Sequence, residues 1–165
     1  IVYGMSAFSL SQDIHVTVAE AKDYMERYFA TYPGVKQYMT DIVEKAKEQG
    51  YVETLYHRRR ALPELKSSNF IQRSFGERVA LNMPIQGTAA DIMKLAMLRV
   101  YDRLRRENLQ ARLIMQVHDE LIVEAPLHEL EQVKHLLVEE MQNAVQLSVL
   151  LKADVGCGKS WLDAK

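Results

Sequence analysis

The chain has 165 residues, of which 48% are hydrophobic and 26% charged, so its composition is that of a globular protein and excludes a disordered tail. Its 21 basic and 22 acidic side chains give a net charge of −1, which excludes a polycation that holds nucleic acid by overall charge. No run approaches the roughly 18 apolar residues of a membrane span. The single cysteine, Cys157, excludes an internal disulfide framework. Because the first residue is Ile rather than Met, we expect a piece of a longer protein.

Helical periodicity is clearest in residues 18–48, where apolar side chains recur at spacings of three and four. Thr17 and Glu20 have the spacing of a capping box at the start of a helix. A Pro-Gly pair interrupts the pattern, which then resumes and is expected to end at Gly50. The tyrosine and methionine residues of this stripe favour core packing over ligand binding.

Residues 51–56 alternate in polarity and predict a short strand, with residues 58–63 as its return arm. A long helix is predicted over residues 69–108. Because Pro84 lies inside that helix, removes a hydrogen bond and clashes with the preceding turn, we expect a kink or a break there.

Two short apolar runs, 113–117 and 121–123, flank the polar residues 118–120 and predict a β-hairpin. An amphipathic helix is predicted over residues 128–146 and a closing strand over residues 150–155. This mixture predicts an α+β fold in which an antiparallel hairpin sheet packs on long helices.

The hairpin turn carries His118, Asp119 and Glu120. Two adjacent carboxylates on a rigid turn can bind Mg²⁺, which takes one or two protein carboxylates and completes its octahedron with water and phosphate oxygens. A two-metal phosphoryl-transfer site needs a further carboxylate from elsewhere. The alternative, on these residues alone, is an ordinary solvated turn.

Arg78, Asn82 and Gln86 are spaced by four and therefore lie along one helical face. Such side chains can donate hydrogen bonds to the purine N3 and pyrimidine O2 atoms that all base pairs present in the minor groove. Surface polar residues on a kinked helix are the alternative.

Residues 57–78 contain six arginine and lysine side chains and two glutamates, in a chain that is otherwise balanced. A local basic patch is typical of proteins that contact the phosphate backbone. A solvated face without a partner would show the same composition.

Several motifs in order resemble the family A DNA polymerases of bacteria. Residues 116–121, Gln-Val-His-Asp-Glu-Leu, resemble the C motif of that family, and residues 78–91 resemble the segment that precedes it. Residues 2–6 resemble the end of the B motif, and the closing Gly-x-Gly-x-x-Trp pattern ends at Trp161. The resemblance is colinear over the whole chain.

The resemblance implies that Asp119 would bind the catalytic magnesium ions. Glu120 would be an auxiliary acid and metal ligand beside them, and His118 would lie near the primer terminus. It implies two Mg²⁺ ions in the complete enzyme, with the second metal site incomplete in these residues.

The DNA-binding residues implied by the resemblance lie earlier in the chain. Arg78, Asn82 and Gln86 would follow the primer–template minor groove. Tyr3 would lie at the base of the fingers, by the template base and the incoming nucleotide. Two further residues would contact phosphates: Arg73 and Lys66.

By the same resemblance, residues 1–66 would form part of the fingers subdomain and residues 67–165 the C-terminal part of the palm. The family's first catalytic aspartate lies in a motif resembling Asp-Tyr-Ser-Gln-Ile-Glu, which has no match here. We therefore expect the parent protein to be a DNA-directed DNA polymerase that transfers nucleotides from dNTPs to a primer 3′-hydroxyl. We expect this piece to be inactive alone.

Two other functions remain open. One is a non-enzymatic fragment that binds primer–template DNA or is purely structural, and the other is a metal-dependent nuclease. The resemblance also implies a location in the bacterial cytoplasm, at the nucleoid, without a membrane partner. We expect apolar surface on the piece to cause self-association.

Overall fold

The computed structural model describes residues 1–164 and divides into two compact units, Ile1–Thr88 and Ala89–Lys165. Each unit has its own apolar core and its own two-stranded antiparallel sheet. The predicted α+β fold class is confirmed. Among the described residues, no helix is long and apolar enough to cross a membrane.

The first unit begins with three helices: α1 (Ala7–Asp13), α2 (Val18–Thr31) and α3 (Pro33–Gln49). The capping box at the start of α2 is confirmed, because the Glu20 carboxylate accepts a hydrogen bond from the Thr17 backbone N–H at 2.9 Å. Helix α3 ends at Gly50, as predicted, and Gly50 has a φ of 82°. This left-handed conformation costs glycine little.

The aromatic stripe on α2 and α3 is less buried than predicted. Ala21 and Ala46 are fully buried, but Tyr24, Tyr32 and Tyr38 are exposed. The small alanines allow the helices to approach their neighbours, while the longer tyrosine rings extend past the contact into solvent. Core packing is therefore the wrong interpretation for these three tyrosines.

Strand β1 (Tyr51–Glu53) pairs antiparallel with β2 (Arg59–Ala61), with Val52 opposite Arg60. The strand is shorter than predicted because Thr54 begins the turn: its hydroxyl oxygen accepts hydrogen bonds from backbone N–H groups two and four residues later. The core beneath the hairpin has five buried members: Ala46, Val52, Leu62, Leu65 and Ala80.

Helix α4 (Phe70–Arg106) is 37 residues long and continues through Pro84. Of the predicted kink or break at Pro84, the break is wrong, because the loss of one backbone donor is outweighed by the hydrogen bonds of the turns on either side. A kink there stays a prediction. The Thr88 hydroxyl donates to the Pro84 carbonyl oxygen, within the same stretch of helix.

The second unit contains strand β3 (Arg112–Val117), strand β4 (Glu120–Glu124) and helix α5 (Leu130–Gln142). The two strands form the predicted hairpin, with an irregularity in register between Leu113 and Met115. Apolar side chains of both strands pack on a core of five buried residues: Val100, Leu104, Ala111, Val133 and Leu136.

The predicted closing strand at residues 150–155 is wrong. This segment has no strand assignment, and Leu150 is 90% exposed. A strand requires a neighbour that completes its hydrogen bonds, and within residues 1–164 both sheets contain only the two strands of a hairpin.

Candidate functional site

His118 and Asp119 form a two-residue turn between β3 and β4, and Glu120 is the first residue of β4, opposite Val117. His118 has a φ of 51°, in the left-handed region that is costly for residues other than glycine. The Gln116 side-chain amide donates to the His118 carbonyl oxygen at 2.7 Å. The strained turn is thereby fixed from within the hairpin.

The two carboxylates of the turn lie in different environments. Asp119 is exposed, as is His118, whereas Glu120 is half-buried. The indole Nε1–H of Trp161 donates to Glu120 Oε2 at 3.0 Å, across 41 residues of sequence. The Glu120 carboxylate is therefore held by the C-terminal segment, while Asp119 projects from the tip.

Sequence reasoning missed the contact between Trp161 and Glu120. The closing Gly-x-Gly-x-x-Trp pattern marks Trp161 as unusual, but it does not say what the indole contacts. Only the tertiary fold brings the two residues together.

The hairpin tip has the donor chemistry of a magnesium site. Within the described chain, no group of three or more His, Cys, Asp and Glu residues could form a ready-made metal cage. Mg²⁺ does not require such a cage, because it is bound through one or two carboxylates plus water and substrate phosphates. An exposed Asp119 beside an oriented Glu120 fits this mode of binding.

The polar face of α4 lies in the first unit. Arg78 and Gln86 are exposed, and Asn82 is half-buried. The Oδ1 atom of Asn82 is inaccessible to solvent and has no hydrogen-bond partner among residues 1–164. An unpaired buried polar atom is costly to the fold.

The N-terminal turn lies against this face of α4. Gly4 has a φ of 79°, and a Cβ there would be 2.9 Å from Leu81 Cδ1 and 3.5 Å from Arg78 Cγ. Tyr3, the preceding residue, is 49% exposed. The structure thus places the turn that contains Tyr3 beside Arg78. The role of Tyr3 beside the template base and nucleotide stays a prediction.

The turn between β1 and β2 contacts α4 immediately after Gln86, at Gly87 and Thr88. Arg58 Nη2 donates to the Gly87 carbonyl oxygen at 2.8 Å, and the Leu55 backbone N–H donates to Thr88 Oγ1 at 3.1 Å. A Cβ on Gly87 would be 2.7 Å from Thr54 Cγ2, so the close approach depends on glycine here.

Part of the basic segment is used within the first unit. Arg59 contacts the Glu53 carboxylate at 3.1 Å, and Arg73 Nη1 donates to the Ser67 carbonyl oxygen at 2.9 Å. Lys66 is exposed at the end of a short 3-10 turn. Local charge alone therefore overstates the cationic surface, and the phosphate roles of Arg73 and Lys66 remain predictions.

The described chain thus presents two adjacent carboxylates on a hairpin tip in its second unit and a polar helix face in its first unit. The family described as DNA polymerase family A matches residues 1–163. The chain belongs to this family.

Relatives match the chain along its whole length. It is 57% identical to DNA polymerase I of Geobacillus stearothermophilus and 53% identical to that of Bacillus subtilis, each match covering 100% of this chain and 19% of the relative. A solved structure, the POL domain of Pol1 from M. smegmatis in complex with DNA primer-template and dNTP, is 45% identical with a TM-score of 0.94. That match covers 99% of this chain and 29% of the solved chain. The chain thus spans about a fifth of the curated relatives it matches.

Proposed function

We propose that the protein containing this chain is a DNA-directed DNA polymerase that adds nucleotides from dNTPs to the 3′-hydroxyl of a DNA primer. The observation that carries the proposal is the exposed carboxylate of Asp119 on a fixed hairpin tip, within a match to DNA polymerase family A over residues 1–163. The M. smegmatis relative, whose structure holds primer-template and dNTP, supports the substrate class.

Asp119 and Glu120 are the residues that would hold Mg²⁺. When bound, the metal stabilises negative charge on the entering and leaving oxygens of phosphoryl transfer. Asp119 presents its carboxylate from an exposed turn, and the Glu120 carboxylate is oriented by Trp161. His118, in the same turn, is proposed to lie near the primer terminus.

A site for two Mg²⁺ ions needs a carboxylate beyond this turn. The sequence has no match to the family's Asp-Tyr-Ser-Gln-Ile-Glu-like motif. We therefore propose that the 165 residues supply one side of the metal site.

Arg78, Asn82 and Gln86 are proposed to contact the minor groove of the primer–template duplex. All three can donate to acceptors common to every base pair, so they would test duplex shape without reading sequence. In such a contact Asn82 would donate through its side-chain Nδ2 group.

The remaining assignments follow from the same family membership. Tyr3 is proposed to lie by the template base and incoming nucleotide, and Arg73 and Lys66 to contact backbone phosphates. Residues 1–66 are proposed as part of the fingers and residues 67–165 as the C-terminal part of the palm. We also propose that the parent protein works in the bacterial cytoplasm at the nucleoid.

A chimeric polymerase tests the proposed activity. This chain would replace the matching segment of Bacillus subtilis DNA polymerase I, to which it is 53% identical. We expect Mg²⁺-dependent primer extension by the chimera and none by the 165-residue chain alone. A folded chimera without extension would contradict the proposal, and extension by the isolated chain would show that its metal site is complete.

A non-enzymatic role is the second candidate for the 165 residues alone, favoured by the missing match to the family's Asp-Tyr-Ser-Gln-Ile-Glu-like motif. Primer–template binding that weakens with salt, and again with Arg78→Ala and Gln86→Ala, would support a DNA-binding fragment. A folded chain without binding at low salt would support a structural one.

A further inference from the structure

We propose that Trp161 is a positioning residue for the metal site, which orients the Glu120 carboxylate through its indole N–H. The proposal rests on the proposed function only for the identity of the ion, Mg²⁺, that Glu120 would bind. The contact itself is a feature of the second unit, where Nε1 lies 3.0 Å from Glu120 Oε2.

The chemistry of the donor matters. The indole N–H is uncharged and can only donate, so its hydrogen bond fixes the orientation of the carboxylate without neutralising it. Groups that orient metal ligands in this way typically change metal affinity or activity by about 10- to 100-fold when they are removed.

The C-terminal segment is folded to present this indole. The Ser160 hydroxyl bonds the Asp163 carboxylate at 2.6 Å, which closes a turn around Trp161. The turn packs closely against two glycines. A Cβ on Gly156 would collide with the Ala164 carbonyl oxygen, and a Cβ on Gly158 would be 2.5 Å from Asp163 Cβ. The spacing of the Gly-x-Gly-x-x-Trp pattern therefore has a physical reason.

The hydrogen bond can be observed directly, because Trp161 is the only tryptophan in the sequence. A ¹⁵N-labelled sample of the 165-residue chain gives one indole N–H resonance, which reports this hydrogen bond directly. No activity is needed to observe it.

The first experiment compares this resonance in two variants. Glu120→Ala removes the acceptor, and we expect the indole resonance to move to the position of a solvated indole. Asp119→Ala removes the neighbouring carboxylate and the same charge, and we expect it to leave the resonance near its original position. An indole resonance that is unmoved by Glu120→Ala, or that moves equally in both variants, would overturn the proposed contact.

The second experiment uses the chimeric polymerase and measures the Mg²⁺ concentration that gives half-maximal primer extension. Trp161→Phe keeps the ring and removes the donor, and we expect it to raise this concentration about tenfold. Leu162→Ala alters the adjacent side chain, which is 83% exposed, and is expected to leave the concentration unchanged. Equal Mg²⁺ requirements for Trp161→Phe and the unsubstituted chimera would refute the positioning role.

The two experiments separate the two proposals. A folded chimera that fails to extend primers with Trp161 in place contradicts the polymerase assignment. The indole resonance of the isolated chain still decides whether Trp161 holds Glu120.

Discussion

Gly87 lies one residue after Gln86, where α4 packs against the turn between β1 and β2. The opposing side chain, Thr54, is buried and β-branched, and its hydroxyl oxygen accepts two backbone hydrogen bonds. It therefore cannot rotate away cheaply from an added methyl group. The position of the polar face near Gln86 depends on the absence of a side chain at Gly87.

We predict that Gly87→Ala lowers the free energy of unfolding by about 1–3 kcal/mol, although alanine is the better helix former by about 1 kcal/mol. Gly34→Ala in α3 is the matched control, because a Cβ there meets nothing within 4 Å. We expect the control to keep or raise stability. Urea unfolding of the chain measures both, and equal stabilisation by the two substitutions would show that the contact at Gly87 is not tight.

At the scale of elements, an ion-pair network joins the last turns of α4 to α5. Arg103 contacts the carboxylates of Glu107, Glu139 and Glu140 at 2.7–3.0 Å, and Arg99 contacts Glu140 at 2.8 Å. Burial raises the pKa of Glu140, but hydrogen bonds and positive charge from the two arginines outweigh burial, so that the pKa lies below its usual value. Hydrogen bonds from Arg103 and Gln132 likewise lower the pKa of Glu107.

We predict that this network makes folding stability depend on acid pH. Because both carboxyl groups have a lower pKa in the folded state, their contribution is complete above about pH 5 and is lost as the pH falls through the folded-state pKa values. Arg103→Met should lower stability at pH 7 by about 1–3 kcal/mol and flatten this acid dependence.

The control for this prediction is Lys22→Met, which removes an exposed pair with Glu26 at 3.9 Å and should change stability by less than about 0.5 kcal/mol. Free energies of unfolding between pH 3 and pH 7 provide the measurement. An unchanged acid slope in the Arg103 variant would contradict the assignment of the pH dependence to this network.

Local patterns predicted most of the elements because the information is contained in neighbouring residues. The β3–β4 hairpin follows from two apolar runs around a polar turn, and the capping box of α2 from one pair of side chains. The closing strand at 150–155 failed because apolar sequence does not supply a pairing partner. The break at Pro84 failed because a local penalty was weighed without the stability of the long helix around it.

The candidate site shows the same division. The sequence alone predicts a metal-binding carboxylate at Asp119. It also predicts the shared helical face of Arg78, Asn82 and Gln86. The contact of Trp161 with Glu120 spans 41 residues, and no local pattern encodes it.

At the scale of the whole chain, apolar side chains remain exposed in the second unit. Leu127, Leu150 and Leu162 are each more than 80% exposed. A contiguous apolar patch at the surface would favour association with other apolar surface. We propose on this basis that the chain self-associates.

We predict that light scattering over a concentration series shows a molar mass that rises with concentration. The triple variant with Leu127→Lys, Leu150→Lys and Leu162→Lys should shift the chain towards monomer, because charged residues oppose apolar contact. A monodisperse monomer of the unsubstituted chain at all concentrations would contradict self-association.

We propose that the Asp119 carboxylate serves metal-dependent nucleotide transfer. Single-turnover primer extension by the chimeric polymerase tests it with Asp119→Asn, and with Glu124→Gln, an exposed carboxylate at the opposite end of β4, as control. We predict a loss of about 100-fold or more for Asp119→Asn and little change for Glu124→Gln. Equal rates for the Asp119 variant and the unsubstituted chimera, at saturating Mg²⁺ and dNTP, would contradict the claim.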